Sequence, residues 1–145
     1  MLVKTYSSTV FGISATTITI EVNLGQGINF FLVGLPDSAV KESHQRIKAA
    51  FKNNNFNFPG KEITVNMAPA DIRKEGSVFD LPIALGILGV SQQVNIDKFA
   101  DYIIIGELSL DGERVDISGD VISLRPKKLS RELELGGVTE PEQQV

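Results

Sequence analysis

Residues 63–90, ITVNMAPADIRKEGSVFDLPIALGILGV, decide the fold, because they pass from a strand through a charged loop into an apolar helix. Residues 63–67 alternate apolar and polar side chains, which is the period of a half-buried strand. Residues 80–90 are apolar on nearly every face, so we expect this helix at the centre of the domain. Asp80 is predicted to cap the helix, and two internal glycines predict close approach of a neighbouring backbone.

Upstream of this stretch the pattern is typical of strands. Residues 17–24 alternate perfectly and are rich in β-branched side chains, and residues 28–33 follow after the glycine-containing turn 25–27. This spacing predicts that the two segments form a hairpin. Residues 1–10 are predicted to add another strand.

A first helix is predicted to open at residues 36–38, where an Asp or Ser side chain can accept the free backbone N–H groups. One face of this helix is apolar at helical spacing and another is polar. The apolar face comprises Val40, Ile47, Ala50 and Phe51, and the polar face comprises Lys41, Gln45, Lys48 and Lys52.

After the apolar helix, residues 102–110 are predicted to form a strand that ends in the turn pair Asp111–Gly112. The order of elements is then strands, helix, strand, helix, strands. This order predicts an α/β (α+β) domain with a mixed β-sheet packed against two main helices.

The composition of the 145-residue chain is that of one soluble globular domain, with 42% hydrophobic and 22% charged residues. The formal net charge of −4 means that any contact with phosphates must come from a local patch. The absence of cysteine excludes disulfides, thiolate metal sites and cysteine nucleophiles. The longest apolar stretch is about half the ~20 residues needed to cross a bilayer. We therefore predict a cytoplasmic protein without a membrane partner.

Three stretches carry a resemblance to a known family. They are FLVGLPDSAVKES (31–43), NMAPADIRKEG (66–76), and FDLPIALG (79–86) followed by GELSLDG (106–112). In this order and spacing they resemble the amino-terminal domain of ComM-type magnesium-chelatase-like proteins. The resemblance covers residues 1–112, whereas residues 113–145 depart from the family pattern. We expect 113–145 to be a divergent or truncated, partly disordered tail.

The resemblance implies a βαβ-rich fold shared with the Lon protease domain and a ribosomal-protein superfamily. It also implies a longer parent chain with a downstream AAA+ ATPase module, in which ATP and magnesium would bind. Such parents are hexameric motors that move branched DNA during natural transformation. The implied partners of this chain are its own AAA+ module, neighbouring subunits and DNA.

Nucleotide chemistry is not predicted for these residues. A phosphate-binding loop needs the spacing Gly-x-x-x-x-Gly-Lys-Ser/Thr, whereas Gly60-Lys61 is followed by Glu62 and lacks the upstream glycine. The carboxylates Asp71 and Glu75 lie close to Asp80 in sequence, but neighbouring basic residues argue against a magnesium site. We therefore predict no cofactor and no metal for this chain.

A serine–lysine peptidase dyad, as in the related Lon domain, is also missing from the sequence pattern. Alignment on residues 74–76 places the nucleophile position at Val78, and Ser77 lies one residue away. The segment 114–121, where the lysine is expected, contains none. Ser77 is interpreted as a loop or capping residue, and no catalytic residue is predicted. The lone histidine, His44, is interpreted as a packed residue, since no cysteine or second histidine accompanies it.

The candidate interaction surface has two parts. The first is the charged loop 71–76 with Arg73, Lys74 and Glu75, because loops on rigid scaffolds often carry binding residues. The second is a basic helix face with Lys41, Arg46 and Lys48, which could contact phosphates or remain solvated.

Three functional hypotheses remain at this point. The favoured one is a non-enzymatic accessory domain that helps a DNA-acting AAA+ motor to assemble or to engage DNA. The second is a relic Lon-like serine peptidase that uses Ser77. The third is a magnesium-chelatase component, suggested by the broader family label alone.

Overall fold

A computed structural model describes residues 1–11, 13–111 and 114–115 of the chain, with only the backbone described at Phe11, Arg114 and Val115. The elements, in chain order, are β1 (Leu2–Phe11), β2 (Ser14–Gly25), β3 (Phe30–Val33), α1 (Ser38–Lys41), α2 (Ser43–Asn53), β4 (Glu62–Ala68), α3 (Asp80–Val90), a short 3-10 helix (Phe99–Asp101), β5 (Glu107–Leu108) and β6 (Arg114–Val115). No helix in this described part of the chain is long and apolar enough to cross a bilayer.

The main sheet has four strands in the order β1-β2-β4-β3 and is mixed. Strands β1 and β2 are antiparallel, β2 and β4 are antiparallel, and β3 runs parallel to β4. The α/β prediction is therefore confirmed. The predicted hairpin between residues 17–24 and 28–33 is wrong, because β4 lies between these two segments.

The physical reason is the crossover from β3 to β4. Two parallel strands need a long connection, usually a helix that packs back onto the sheet. Here α1 and α2 supply this connection, and β4 returns beside β3 with Phe31 opposite Thr64 and Leu32 opposite Val65. The helix packing thus overrides the short-range turn signal between β2 and β3.

Helix α3 is the centre of the core, as its apolar sequence predicted. All eleven residues of the helix are buried, and it packs against β1 and β2. Gly86 lies directly on the sheet, because a Cβ atom at this position would lie 2.5 Å from Cγ2 of Val22. Side-chain atoms do not approach this closely, so the helix requires glycine there.

The predicted first helix is divided into α1 and α2 at Glu42. Asp37 is the N-cap of α1, since its carboxylate Oδ1 accepts the backbone N–H of Val40 at 2.8 Å. The predicted faces are confirmed. Val40, Ile47, Ala50 and Phe51 are buried, whereas Lys41, Gln45, Lys48 and Lys52 are exposed.

The predicted strand over residues 102–110 is only partly present, because only Glu107–Leu108 forms a strand, paired with Arg114–Val115. Tyr102 and Ile104 are nevertheless buried, and the Ile104 backbone N–H donates to the Tyr6 carbonyl at 2.7 Å. This segment therefore covers β1 without a continuous ladder. The predicted tail 113–145 lies outside the described residues, apart from β6.

Candidate functional site

The charged loop is held by backbone hydrogen bonds to the loop that follows β3. Parallel strands β3 and β4 deliver both loops to the same edge of the sheet. The Lys74 N–H donates to the Leu35 carbonyl at 3.0 Å, and the Asp37 N–H donates to the Lys74 carbonyl at 3.0 Å. The Asp37 carboxylate Oδ2 also accepts the Gly76 N–H at 3.2 Å. We call residues 69–76 the pinned loop.

Lys74 lies inside the pinned loop and not on its surface. Its side chain is fully buried, and its ammonium Nζ donates to the Pro69 carbonyl. Burial lowers the pKa of Lys74, with the Asp71 carboxylate acting in the opposite direction. The prediction of Lys74 as an interaction residue is therefore wrong, because its amine caps a carbonyl within its own loop.

Arg73 and Glu75, on either side of Lys74, do face the solvent. Their side chains are 67% and 71% exposed, and Arg73 Nε lies 3.3 Å from Glu75 Oε1. An ion pair this exposed contributes little to stability and exchanges readily for other partners. These two residues are the part of the predicted loop surface that a partner can reach.

Arg46 is not part of an open basic face either. Its Nε lies 2.6 Å from Asp80 Oδ2 and its Nη2 lies 3.0 Å from Asp80 Oδ1, while Nη2 also donates to the Ala39 carbonyl at 2.8 Å. The Arg46 and Asp80 side chains are 18% and 1% exposed. The prediction of Arg46 as a phosphate contact is wrong, because a buried carboxylate already occupies the guanidinium.

Asp80 likewise differs from the helix cap that its position predicted. Phe79 is the N-cap residue of α3, and Asp80 is the first residue of the helix. Burial raises the pKa of Asp80, whereas hydrogen bonds from Arg46 and from the Leu108 N–H at 3.2 Å oppose this rise. The hydrogen bond to Asp80 also raises the pKa of Arg46. The carboxylate therefore joins α3 to both α2 and β5.

Lys41 and Lys48 remain as the exposed part of the predicted helix face. Neither lysine forms an ion pair with any residue in the described ranges. Lys48 Nζ lies 5.9 Å from the centroid of the Phe58 ring, a cation–π distance. These ammonium groups are available to an anionic partner.

The neighbourhood of Ser77 shows loop and turn contacts. Ser77 is half-buried, and its carbonyl accepts the Asp80 N–H at 3.2 Å. Val78, at the position that aligns with the Lon nucleophile, packs against the core, and its carbonyl accepts the Gly106 N–H at 2.9 Å. Within the described ranges no group of three carboxylate or histidine side chains is placed to hold a metal ion.

His44 is a packed residue that stacks on an aromatic neighbour. Its ring centroid lies 4.1 Å from that of Phe30, with the two planes 3° apart, and 5.6 Å from that of Phe58. Burial, followed by the charge of Lys48, lowers the pKa of His44. The imidazole is therefore neutral at neutral pH and acts as part of an aromatic cluster.

This cluster lines a cavity of about 270 Å³ that the sequence analysis did not identify. We call it the stacking cavity. Its lining comprises Ile28, Asn29, Phe30, His44, Lys48, Phe58, Pro59, Gly60, Lys61 and Ile63. The missed contributors are Phe30, from β3, and Phe58 and Lys61, from the loop between α2 and β4. The one local sequence feature that could have indicated this cavity was a lysine directly after the Pro59-Gly60 turn.

Comparison with known proteins identifies the family of the chain. Residues 20–127 match the family described as subunit ChlI of Mg-chelatase. The competence protein ComM of Haemophilus influenzae is 44% identical over 130 residues, which is 88% of this chain and 26% of that protein. The chain belongs to the magnesium-chelatase-like family of the ComM type.

Other relatives of this magnesium-chelatase-like chain are likewise matched over about a quarter of their own length. The uncharacterized protein YifB of Escherichia coli is 41% identical over 113 residues, 77% of this chain and 22% of that protein. A Mycobacterium tuberculosis protein, Rv2897c, is 34% identical over 117 residues, 80% of this chain and 23% of that protein. The chain thus spans about a quarter of the length of the curated relatives it matches.

Within this magnesium-chelatase-like chain, the family match begins in β2 and continues beyond β6. It therefore includes both the pinned loop and the residues that line the stacking cavity. The two features lie inside the region of family similarity.

Proposed function

We propose that this chain is a non-catalytic accessory domain of a magnesium-chelatase-like AAA+ ATPase. In this role it would help a DNA-remodelling motor to assemble or to engage DNA. The family match and the coverage of only a quarter of each relative support a role within a larger protein. ATP and magnesium would bind to the rest of that protein, and no cofactor is proposed for this chain.

The observation that carries the proposal is Val78, an apolar side chain packed against the core at the position that aligns with the Lon nucleophile. A lysine that activates a serine must reach the hydroxyl and accept its proton. The segment 114–121, where that lysine is expected, contains none, and the nearby Lys74 is buried with its ammonium donating to the Pro69 carbonyl. These contacts support a structural role for the pinned loop and not a peptidase role.

The surfaces that remain for docking are two sets of exposed charged side chains. One set lies in the pinned loop and the other lies on α1 and α2. Arg73 and Glu75 form one exposed pair, and Lys41 and Lys48 supply uncompensated positive charge on the helices. Because the net charge of the chain is −4, contact with DNA would have to use such a local patch. Assembly with an ATPase module would use the mixed-charge pair at the loop.

The test is a binding measurement on the 145-residue chain. We expect binding to a forked DNA, measured by fluorescence anisotropy, or to the part of the Haemophilus influenzae relative outside the matched region, measured by calorimetry. The double variant Lys41→Gln/Lys48→Gln should weaken DNA binding, and Arg73→Ala should weaken docking to the ATPase part. No binding to either partner at low salt and high protein concentration would contradict the proposal.

A parallel assay addresses the enzymatic alternatives. We expect the chain to hydrolyse neither unfolded protein nor ATP, and to show no heat of binding when titrated with magnesium. If unfolded protein is degraded and Ser77→Ala abolishes the degradation, the chain is a Lon-like peptidase. If magnesium binds to this chain alone, a chelatase role replaces the accessory role.

A further inference from the structure

The stacking cavity brings three aromatic rings together at one point of the surface. Phe30 and His44 are stacked in parallel, and the Phe58 ring is tilted by 31° to His44 and by 30° to Phe30. All three residues are half-buried. Aromatic faces of this kind provide a platform on which another planar group can stack.

The charged residues that line the stacking cavity are all positive. Lys48 and Lys61 line it, and both are exposed. No carboxylate lies among the lining residues, and neither lysine is ion-paired with another residue of the described ranges. Since His44 is neutral at neutral pH, the cavity combines an uncharged aromatic wall with two ammonium groups, of which that of Lys48 lies 5.9 Å from the centroid of the Phe58 ring.

These features define the chemistry of a ligand. Aromatic rings select a planar group, and the two ammonium groups select negative charge beside it. At about 270 Å³ the cavity lies just below the usual range for drug-sized ligands, so it suits one planar group. Proteins that bind single-stranded nucleic acids combine aromatic stacking with backbone contacts from basic residues in this way.

We infer that the stacking cavity binds one nucleotide unit of a single-stranded nucleic acid, with the base against His44 and Phe58 and the phosphates at Lys48 and Lys61. The inference rests on the proposed function because it takes nucleic acid as the ligand. It adds that the bound strand is unpaired, and it names the residues that bind it. A base in an intact duplex is stacked between its neighbours and cannot enter the cavity. The site therefore selects unpaired strands.

The first experiment tests whether the two lysines of the cavity bind the phosphates, or whether any exposed positive charge has the same effect. We expect Lys48→Gln/Lys61→Gln to weaken binding of a 15-nucleotide oligothymidylate about tenfold at low salt. The slope of log K against log[salt] should become shallower by about 1.4, because each phosphate contact on a single strand contributes about 0.7. The matched control Lys52→Gln/Lys98→Gln removes the same charge outside the cavity, and neither of these exposed lysines is ion-paired within the described ranges. If both double variants lose affinity and slope equally, the inference is wrong.

The second experiment tests the stacked base. An oligothymidylate with one 2-aminopurine should lose fluorescence on binding, as stacking quenches this base. Phe58→Leu, which keeps an apolar side chain, and His44→Ala should each abolish most of the quenching and cost about tenfold in affinity, as expected for one base stack. An oligonucleotide with the same phosphates and no bases should bind about as weakly as these variants. Equal affinity for the abasic strand would overturn the inference.

Three further outcomes complete the test. Free thymidine monophosphate should bind much more weakly than the oligonucleotide, and equal affinity would assign the cavity to free nucleotides instead. If the chain binds the ATPase part or forked duplex DNA but not the single strand, the inference fails and the proposed function stands. If the single strand binds at the cavity but the chain itself degrades unfolded protein in the parallel assay, the non-catalytic accessory role fails and the cavity assignment stands.

Discussion

The guanidinium of Arg46 and the carboxylate of Asp80 form a two-point ion pair between α2 and α3. The distances are 2.6 Å from Nε to Oδ2 and 3.0 Å from Nη2 to Oδ1. The carboxylate is also within 3.2 Å of the Leu108 N–H, so one buried group connects both helices to β5. The pair fixes the crossover helix against the central helix, and the pinned loop lies between the two partners in the sequence.

We expect Asp80→Ala to destabilise the fold by about 3–5 kcal/mol, because the largely buried guanidinium of Arg46 loses its buried counter-charge and keeps only the Ala39 carbonyl and the exposed Glu42 as partners. The free energy of unfolding from urea denaturation measures this loss. Replacing both partners, as in Arg46→Met/Asp80→Leu, should cost less than Asp80→Ala alone, since no buried charge remains unpaired.

The control for this prediction is Glu42, the exposed partner of Arg46. Its carboxylate lies 3.5 Å from Arg46 Nη1, and its side chain is 70% exposed. Glu42→Gln should change the free energy of unfolding by less than about 1 kcal/mol. If Glu42→Gln lowers the free energy of unfolding as much as Asp80→Ala does, burial of the Asp80 carboxylate does not explain the loss.

Much of this fold could be predicted from local patterns. The apolar sequence of α3 has no polar face, so its only stable position is the middle of the core, and the structure places it there. The order of strands could not be obtained in this way. The pairing of β3 with β4 depends on where α2 buries its apolar face, and residues 25–27 alone carry no information about that packing.

The candidate site was predicted less well, because charged residues were expected at the surface. Lysine and arginine are rarely buried unless they are paired. Lys74 is buried on a carbonyl five residues away, and Arg46 is paired with a residue 34 positions away. The stacking cavity joins Phe30, His44 and Phe58 from three segments, which only the folded backbone brings together.

Gly34, which follows β3, is predicted to be the most sensitive glycine of the connection. Its φ angle is +108°, and a Cβ atom there would lie 2.1 Å from the Met67 carbonyl oxygen. We expect Gly34→Ala to cost more than the roughly 1–3 kcal/mol of backbone strain alone, because strand β4 must also move. Chemical denaturation measures the effect.

Variants at two other glycines distinguish the cost of backbone strain from the cost of the clash with β4. Gly76 has a φ angle of +84° but open space around it, so Gly76→Ala should show the backbone cost alone. Gly60 has neither a positive φ angle nor a neighbour within 4 Å, and Gly60→Ala should lie within about 0.5 kcal/mol of the native chain. The prediction fails if the three variants are equally stable.

The burial of Lys74 predicts slow chemical modification of its amine. An amine-reactive ester should acetylate the exposed Lys41, Lys52 and Lys98 quickly at neutral pH and Lys74 only as the protein opens. Mass spectrometry of digested samples over time measures the rate at each site. Addition of urea at a concentration that unfolds the chain should remove the difference. Equal rates in the native state would place Lys74 on the surface after all.

The lowered pKa of His44 predicts a loss of stability in mild acid. Burial and the charge of Lys48 disfavour the imidazolium in the folded chain, whereas the unfolded chain takes up its proton near pH 6.5. The unfolded state therefore binds more protons between the lowered pKa and about 6.5, and the free energy of unfolding falls as the pH decreases through this window.

Urea denaturation at pH 7.5 and pH 5.5 measures the effect, and His44→Gln is the control. His44 is the single histidine of the chain, so the variant keeps all carboxylates and loses this contribution alone. We expect the native chain to lose more stability than the variant between the two pH values. An equal loss in both proteins would mean that the imidazole is as well hydrated in the folded state as in the unfolded chain, which contradicts its stacking on Phe30.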